Sequence, residues 1–174
     1  MEITAAMVKS LREETGAGIM DCKRALSDTG GDVEKAKAIL REKGLASAAK
    51  KESRETSQGL VEVYIHGGGR IGAMVELNCE TDFVARTDEF RGLARDIAMQ
   101  VVALNPRFVS PDAAPAATIE AEGLSEDDVK NASVTTQAYF RDPKMTVGEK
   151  IKEVIAKSGE NIRVRRFERY ELGR

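Results

Sequence analysis

The chain has 174 residues, of which 41% are hydrophobic and 32% are charged, and its formal net charge is −2. This composition is typical of a globular protein with one main domain and a small module. The slightly acidic balance argues against nucleic acid as a partner, because broad binding to the phosphate backbone requires a basic surface. No apolar run approaches the roughly 18 residues that span a bilayer, and the first residues lack signal-peptide features. We therefore expect a cytoplasmic protein with no membrane partner.

Residues 1–45 predict a module of three helices that looks like a ubiquitin-associated fold. Thr4 is suited to cap the first helix and Gly16 to end it. Asp32 is suited to cap the third helix, which Gly44 is expected to end. The apolar positions expected to face inward are Met7, Val8, Leu11, Met20, Ala25, Leu26, Val33, Ala36, Ile39 and Leu40.

A polar, lysine-rich linker over residues 46–58 is followed by two segments of alternating polarity. Val61, Val63 and Ile65 share one face of the first segment, and residues 71–77 alternate in the same way after a glycine-rich turn. This pattern predicts an antiparallel hairpin with one buried face, formed by the apolar positions. The turn matches Gly-x-Gly-x-x-Gly by chance, because a dinucleotide site requires a helix after the glycines and here a strand follows.

Residues 87–104 predict a long amphipathic helix, and residues 110–143 form an acidic stretch. Ser125 is suited to cap a brief helix within that stretch, and Thr146 is suited to cap another after it. The last strand, residues 161–172, changes the parity of its apolar positions between Val164 and Phe167, which predicts a β-bulge. The predicted fold class is α+β, with a three-stranded antiparallel sheet in residues 59–174 that is packed with helices on one side.

The sequence contains no constellation of catalytic residues. His66 is the single histidine and has no further ligands at the spacing of a metal site. Cys22 and Cys79 are expected to be small buried apolar residues rather than nucleophiles. We therefore expect a binding protein that is not an enzyme, uses no cofactor or metal and binds no nucleotide itself. Four arginines of the last strand are expected to form a solvated or paired face: Arg163, Arg165, Arg166 and Arg169.

Residues 76–86 join the predicted hairpin to the long helix and hold Phe83 in a polar Thr-Asp turn. A phenylalanine in this position is either a plug for the chain's own core or a contact residue for a partner. Most phenylalanines at strand ends are buried, so the pattern alone leaves both interpretations open.

Three segments of the chain resemble the elongation factor Ts family. They are residues 11–26, the Thr81-Asp82-Phe83-Val84 motif within residues 76–86, and residues 158–167. The resemblance implies a guanine-nucleotide exchange factor of translation elongation, which binds elongation factor Tu in its GDP form and promotes GDP release. The alternative is an RNA-binding or protein-adaptor module, built on the small helical module, without exchange activity.

The resemblance also implies which residues contact elongation factor Tu. Arg12, Ile19 and Met20 match residues that contact its nucleotide-binding domain. The Asp82-Phe83 pair matches residues that insert beside its magnesium and phosphate site. We expect Asp82 to hold the turn by accepting backbone N–H groups, and Phe83 to be exposed in the free protein. The implied contact residues are Arg12, Ile19, Met20, Thr81, Asp82, Phe83 and Val84.

Family members with a single core, like this chain, pair as homodimers through their sheets, so that each protomer supplies one of two contacts. By resemblance we expect a homodimer formed by the 59–174 domain. Residues 117–143 are shorter than the corresponding region of relatives, in which a helical hairpin is common. The acidic 110–143 region is therefore interpreted as a shortened insertion.

Overall fold

The computed structural model describes residues 2–174. Met1, the first residue of the segment without signal-peptide features, lies outside the described part. The α-helices are α1 (Ala5–Thr15), α2 (Ile19–Asp28), α3 (Val33–Ala49), α4 (Asp82–Ala85), α5 (Asp88–Leu104), α6 (Ala116–Glu122), α7 (Glu126–Asn131) and α8 (Val147–Ser158). The strands are β1 (Gln58–His66), β2 (Ile71–Cys79), β3 (Ala138–Tyr139), β4 (Asp142–Thr146) and β5 (Ile162–Glu171).

The first three helices form the predicted N-terminal module. Thr4 caps α1 and Asp32 caps α3, and Gly16 ends α1 with a left-handed φ of 67°. Met20 and Ile39 are 67% and 40% exposed, so the prediction that they face inward is wrong. Each helix of so small a module meets its neighbours along a narrow contact, and helical spacing alone predicts a wider apolar stripe. The buried residues of the module are Val8, Leu11, Cys22, Ala25, Leu26, Ala36 and Leu40.

Helix α3 runs through Gly44 to Ala49, so the prediction that Gly44 ends this helix is wrong. Helix α8 packs against α3 at this point, and a Cβ on Gly44 would lie 3.2 Å from the Ala156 Cβ. The glycine therefore permits a close approach of two helices, although it lowers the propensity of α3 to be helical. The division into a module (1–45), a linker (46–58) and a core (59–174) stays a prediction.

The second part of the chain is organised around an antiparallel sheet with the strand order β1-β2-β5, which confirms the predicted fold class. Helices α5 and α8 cover one face of this sheet and form the main core with it. The register between β2 and β5 shifts so that Glu76 pairs with Arg166 while Leu77 pairs with Val164. Arg165 is the extra residue, and the predicted bulge is confirmed.

Strand β1 turns an unexpected face toward the core. Leu60 and Tyr64 pack against the core, whereas Val61, Val63 and Ile65 are 57%, 47% and 60% exposed. The prediction that the valine and isoleucine face is the buried one is therefore wrong. In β2 the predicted pattern holds, because the alternating positions Ile71, Ala73, Val75 and Leu77 are buried or half-buried on the side of α5.

Residues 105–146 connect α5 to α8 through short elements. Ser125 and Asp128 form a capping box at the start of α7, and Thr146 caps α8, as predicted. Arg107 donates to Glu122 at 2.6 Å, so a cation from outside the acidic stretch neutralises part of it. Strands β3 and β4 pair as a small second sheet that the sequence pattern did not predict. Across the described residues, no helix is long and apolar enough to span a membrane.

Candidate partner-binding surface

Phe83 projects from helix α4, a single turn between β2 and α5. Its side chain is 77% exposed. The next two residues, Val84 and Ala85, are 5% and 8% exposed and belong to the main core. The exposure confirms the expectation for Phe83 and excludes the plug interpretation. Val84, which the resemblance placed among the contact residues, lies beneath the turn rather than on its surface.

Thr81, and not Asp82, caps this turn. The Thr81 Oγ1 accepts a hydrogen bond from the backbone N–H of Val84 at 3.4 Å. The Asp82 carboxylate instead accepts from Arg86 Nη2 at 2.8 Å, so the prediction that Asp82 holds the turn through backbone N–H groups is wrong. The residue before the first helical position is the one whose side chain reaches the free N–H groups, and that residue is Thr81.

Glu160, just before β5, holds Thr81 from the opposite side. Its Oε2 accepts the Thr81 backbone N–H at 3.0 Å, and its Oε1 accepts the Thr81 hydroxyl at 2.6 Å. Beside this pair, Glu80 Oε1 accepts the backbone N–H of Asn161 at 2.6 Å. Residues 80–81 and 160–161 are therefore joined by hydrogen bonds that run in both directions.

Asn161 ties a third segment to this junction. It is 2% exposed, and its Nδ2 donates to the carbonyl oxygens of Glu52 at 3.2 Å and Arg54 at 2.8 Å. Arg54 also contacts Glu80, with 3.4 Å between Nη1 and Oε1. The chain between α3 and β1 is thus fixed to the base of the Phe83 turn.

Arg12 lies in the last turn of α1, and Ile19 and Met20 begin α2; we call these three residues, on either side of the short α1–α2 connection, the corner. Ile19 and Met20 are the first two residues of α2 and are 57% and 67% exposed. Arg12 is also exposed, and within residues 2–174 its guanidinium forms no ion pair. The corner therefore exposes two apolar side chains that are adjacent in the sequence and one guanidinium without an acidic partner among the described residues.

The carboxyl end of α8 contacts both the α1–α2 connection and the region of the Phe83 turn. The Lys157 Cγ lies 2.8 Å from the position that a Cβ on Gly16 would occupy. The Lys157 Nζ contacts Glu89 Oε1 at 2.9 Å, at the start of α5. Three residues further along the chain, Glu160 binds Thr81. One short segment therefore contacts Gly16, which lies between Arg12 and Ile19 in the chain, and Thr81, which caps the Phe83 turn.

Sequence reasoning missed Lys157 and Glu160. Glu160 lies in the third segment that resembles the family, but the segment gives no role to its carboxylate. Thr81 and Glu160 are 79 residues apart in the chain, so no local spacing connects them. Lys157 has the form of an ordinary cation in the last turn of a helix, and only the packing of α8 shows what it contacts.

Cys79 lies beneath the Phe83 turn, and His66 lies at the opposite end of the β1–β2 hairpin. Cys79 is buried, its Sγ donates to the Thr81 carbonyl at 3.1 Å, and burial raises the pKa of this thiol to about 11. Such a thiol is protonated at neutral pH and is a poor nucleophile. His66 is exposed, and its Nδ1 lies 2.8 Å from the Tyr64 hydroxyl. In the described part of the chain, no group of three or more His, Cys, Asp or Glu could hold a metal ion.

The side of the sheet that faces away from α5 carries a second exposed apolar surface. Strand pairing places Val63 opposite Met74, and Tyr170 opposite Gly72. The Glu76–Arg166 ion pair, with 2.7 Å between Oε2 and Nε, borders this surface. We call it the outer sheet face, and its members are Val61, Val63, Ile65, Met74 and Tyr170.

The arginines of β5 are partly paired, as expected, but they do not share one face, because Arg169 lies opposite the buried Ala73 and donates to the Val102 carbonyl oxygen. Arg166 pairs with Glu76, and Arg169 pairs with Glu171 at 3.0 Å. Arg163 and Arg165 are exposed. The strand therefore offers two solvated guanidinium groups rather than a continuous basic stripe.

Comparison with known proteins identifies the family. The family model described as Elongation factor TS matches residues 27–138. Elongation factor Ts of Heliobacterium modesticaldum is 51% identical over 98% of this chain and 90% of that protein. Elongation factor Ts of Desulforamulus reducens is 51% identical over 99% of this chain and 90% of that protein. Elongation factor Ts of Carboxydothermus hydrogenoformans is 50% identical over 98% of this chain and 89% of that protein.

The alignment with the Heliobacterium protein spans 194 positions. This chain has 174 residues, so that relative carries at least 20 residues that this chain lacks. The family match includes the Phe83 turn and the first two strands of the sheet, and the alignments with these relatives cover nearly all of the chain. The predicted resemblance is confirmed, and this chain belongs to the elongation factor Ts family of translation elongation factors.

Proposed function

We propose that this chain is a guanine-nucleotide exchange factor that binds elongation factor Tu in its GDP form and promotes GDP release. The observation that supports this most strongly is the 77% exposure of Phe83 on a turn whose following residues are anchored in the core. Leaving a phenylalanine exposed forgoes roughly 1.5–3 kcal/mol of burial free energy. That free energy becomes available when the ring enters an apolar pocket of a partner, and family membership supports elongation factor Tu as the partner.

The proposed mechanism requires no chemistry by this chain. An exchange factor binds the nucleotide-free GTPase more tightly than the nucleotide-bound form, and by linkage the nucleotide weakens exchange-factor binding by the same factor. Magnesium and phosphate contacts hold the nucleotide in a GTPase. A side chain that enters beside those contacts therefore weakens nucleotide binding directly. We assign this role to Phe83 and Asp82, on a turn that Thr81 caps and Val84 anchors.

The corner formed by Arg12, Ile19 and Met20 is proposed to dock on the nucleotide-binding domain of the same GTPase. Its exposed apolar side chains and free guanidinium support this role. Because Lys157 and Glu160 connect the corner and the Phe83 turn to the same segment, docking of the corner would fix where the ring enters. Binding free energy gained at the corner would thus support insertion at the turn.

The test is the release of a fluorescent GDP analogue from elongation factor Tu. Excess unlabelled GDP is added with and without the chain, and the decay of fluorescence is timed. We expect release to accelerate with increasing concentration of the chain and to saturate. A rate that stays at the value for elongation factor Tu alone would overturn the proposal. The chain without elongation factor Tu should bind no GDP analogue, because we propose that it has no nucleotide site and no active site of its own.

We further propose that two copies pair through the outer sheet face. Contiguous apolar surface on a sheet is unusual for a face that stays in water, and here it covers parts of all three strands. Twofold pairing through this face would cover it and would supply two copies of the contact regions in one particle. As a translation factor the protein is proposed to act in the cytoplasm.

A further inference from the structure

We infer that Glu160 is a positioning residue for Phe83: its carboxylate sets the direction in which the ring leaves the surface. This inference rests on the proposed function, since it deepens the role assigned to the Phe83 turn. Within residues 2–174, the carboxylate of Glu160 makes no hydrogen bond to Phe83. It acts through Thr81, whose backbone N–H and hydroxyl it accepts at 3.0 Å and 2.6 Å.

The turn needs an external support because it is too short to be stable alone. Helix α4 has four residues, and the first turn of a helix fixes several dihedral angles for little hydrogen bonding. Val84 and Ala85 anchor its carboxyl half in the core. Its amino half, which includes Phe83, has no core contact of this kind. The direction of the ring therefore depends on Thr81.

Thr81 can cap the helix only while its own position is fixed. Its Oγ1 serves two partners, since it accepts from the Val84 N–H and donates its proton to Glu160. Both oxygens of Glu160 are used for this single residue, so the carboxylate fixes the backbone and the side chain of Thr81 together. A charged acceptor forms stronger hydrogen bonds than a neutral one.

Glu160 itself is held by its neighbours in the chain. Gly159 ends α8 in the left-handed conformation, with φ 79°. Asn161, the next residue, is buried and bound to the 52–54 segment and to Glu80. Glu160 thus stands between the end of a core helix and a buried asparagine that donates three hydrogen bonds. Because Glu160 also binds Thr81, it fixes the exposed turn relative to the core.

The experiment compares wild type with Glu160→Ala, Glu160→Gln, Phe83→Ala and the Phe83→Ala/Glu160→Ala double variant. Glu120→Ala is the matched control, because Glu120 is exposed on α6 and its side chain makes no hydrogen bond or ion pair within residues 2–174. Two quantities are measured: the maximal rate of GDP-analogue release at saturating chain, and the hydrogen-exchange rate of the Thr81 and Val84 amides in the free protein.

We expect Glu160→Ala to slow maximal release and to speed exchange of the Thr81 amide, each by roughly tenfold or more, because it removes both charge-assisted hydrogen bonds to Thr81. Amides in α5 should keep their protection, and Glu160→Gln should lie between wild type and Glu160→Ala because it retains one acceptor. The double variant should release nucleotide no more slowly than Phe83→Ala. That non-additivity is expected only if Glu160 acts through the ring.

Two results would overturn the inference: an unchanged Thr81 amide in Glu160→Ala, or a Glu160→Ala effect on release that persists in full when Phe83 is already alanine. If Glu160→Ala melts far below wild type, Glu160→Gln supplies the same comparison. Failure of the proposed function gives a different result, because the wild-type chain would then not accelerate the release of the GDP analogue. In that case the amide-exchange arm still shows whether Glu160 holds the turn.

Discussion

Helices α4 and α5 begin in the same way, yet they place their phenylalanines in opposite environments. Thr81 caps α4 and accepts from the N–H of Val84, and Thr87 caps α5 and accepts from the N–H of Phe90. Phe83 is 77% exposed, whereas Phe90 is fully buried. The same residue type serves as a contact residue in one turn and as a core residue in the next.

The difference is one position in the helical register. Phe90 is the third residue after its threonine cap, and in α4 the third residue is Val84, which is also buried. Phe83 is the second residue after its cap, and one residue rotates a helix by about 100°. The number of residues after the cap therefore decides which side chain faces the core. Phe83, at the second position, faces away from the core.

The largest expected effect is on Phe90. Phe90→Ala should lower the free energy of unfolding by about 3–5 kcal/mol, because it removes a fully buried ring and leaves a cavity. Urea denaturation followed by circular dichroism measures this loss. A change below about 1 kcal/mol would contradict the contrast between the two phenylalanines, since exposed positions typically show effects of that size.

Helix α2 offers the same contrast within the N-terminal module. Leu26→Ala should cost about 2–5 kcal/mol, because Leu26 is completely buried. Met20→Ala and Arg12→Ala should change stability by less than about 0.5 kcal/mol, while they weaken binding to elongation factor Tu. Thermal melts and titrations of the three variants provide the comparison. A large loss of stability in Met20→Ala and Arg12→Ala would mean that the corner supports the fold rather than a partner.

How far the sequence predicts the fold depends on whether the deciding interaction is local. Caps at Thr4, Ser125 and Thr146, and the parity change that marks the bulge, are set within a few residues, and each was predicted from the sequence. Gly44 was misjudged because a glycine that ends a helix and a glycine that admits a second helix look alike locally. Only the packing of α8 distinguishes the two.

Strand β1 was misjudged for a similar reason. Both of its faces carry apolar residues, and the face turned inward is decided by α5. Arg95 of that helix donates to Glu62 at 3.0 Å, and its guanidinium lies 5.1 Å from the centre of the Tyr64 ring. A glutamate and a tyrosine can therefore occupy the inner face at its edge. At the candidate site, the exposed side chains followed from the resemblance, but the support from Glu160 depends on a contact between distant parts of the chain.

The contrast between exposed and buried apolar side chains also applies to the outer sheet face. Val63→Lys places a charge in its centre, and we expect the variant to sediment as a monomer where wild type sediments as a dimer at micromolar concentration. Ala121→Lys, on the exposed side of α6, adds the same charge and should leave the dimer intact. A wild-type monomer with full exchange activity would refute the proposed pairing.

A smaller effect is expected from the thiol beneath the turn. Burial raises the pKa of Cys79 to about 11, whereas an unfolded cysteine has a pKa of about 8.5. The stabilising effect of keeping this thiol neutral is complete below the unfolded value and is lost as the pH rises through the folded value. Stability should therefore fall by about 1–3 kcal/mol between about pH 9 and 11.

Cys79→Ala separates this titration from that of Tyr139, whose pKa is also raised by burial and by Asp96. The variant should show a shallower loss of stability than wild type over the same pH range. Equal slopes in urea melts at each pH would show that Cys79 does not contribute. Thiol reagents at pH 8 should label Cys79 slowly in the native protein and rapidly in urea.

The most direct test of the account is Phe83→Ala, measured for stability and for nucleotide release on the same preparation. Because the ring is exposed, its removal should leave the melting temperature nearly unchanged. The rate at which elongation factor Tu releases its GDP analogue should fall sharply, with Phe140→Ala, a partly exposed phenylalanine outside both contact regions, as the control. A loss of 3–5 kcal/mol in stability, roughly that of a core phenylalanine, or an undiminished release rate would contradict the account.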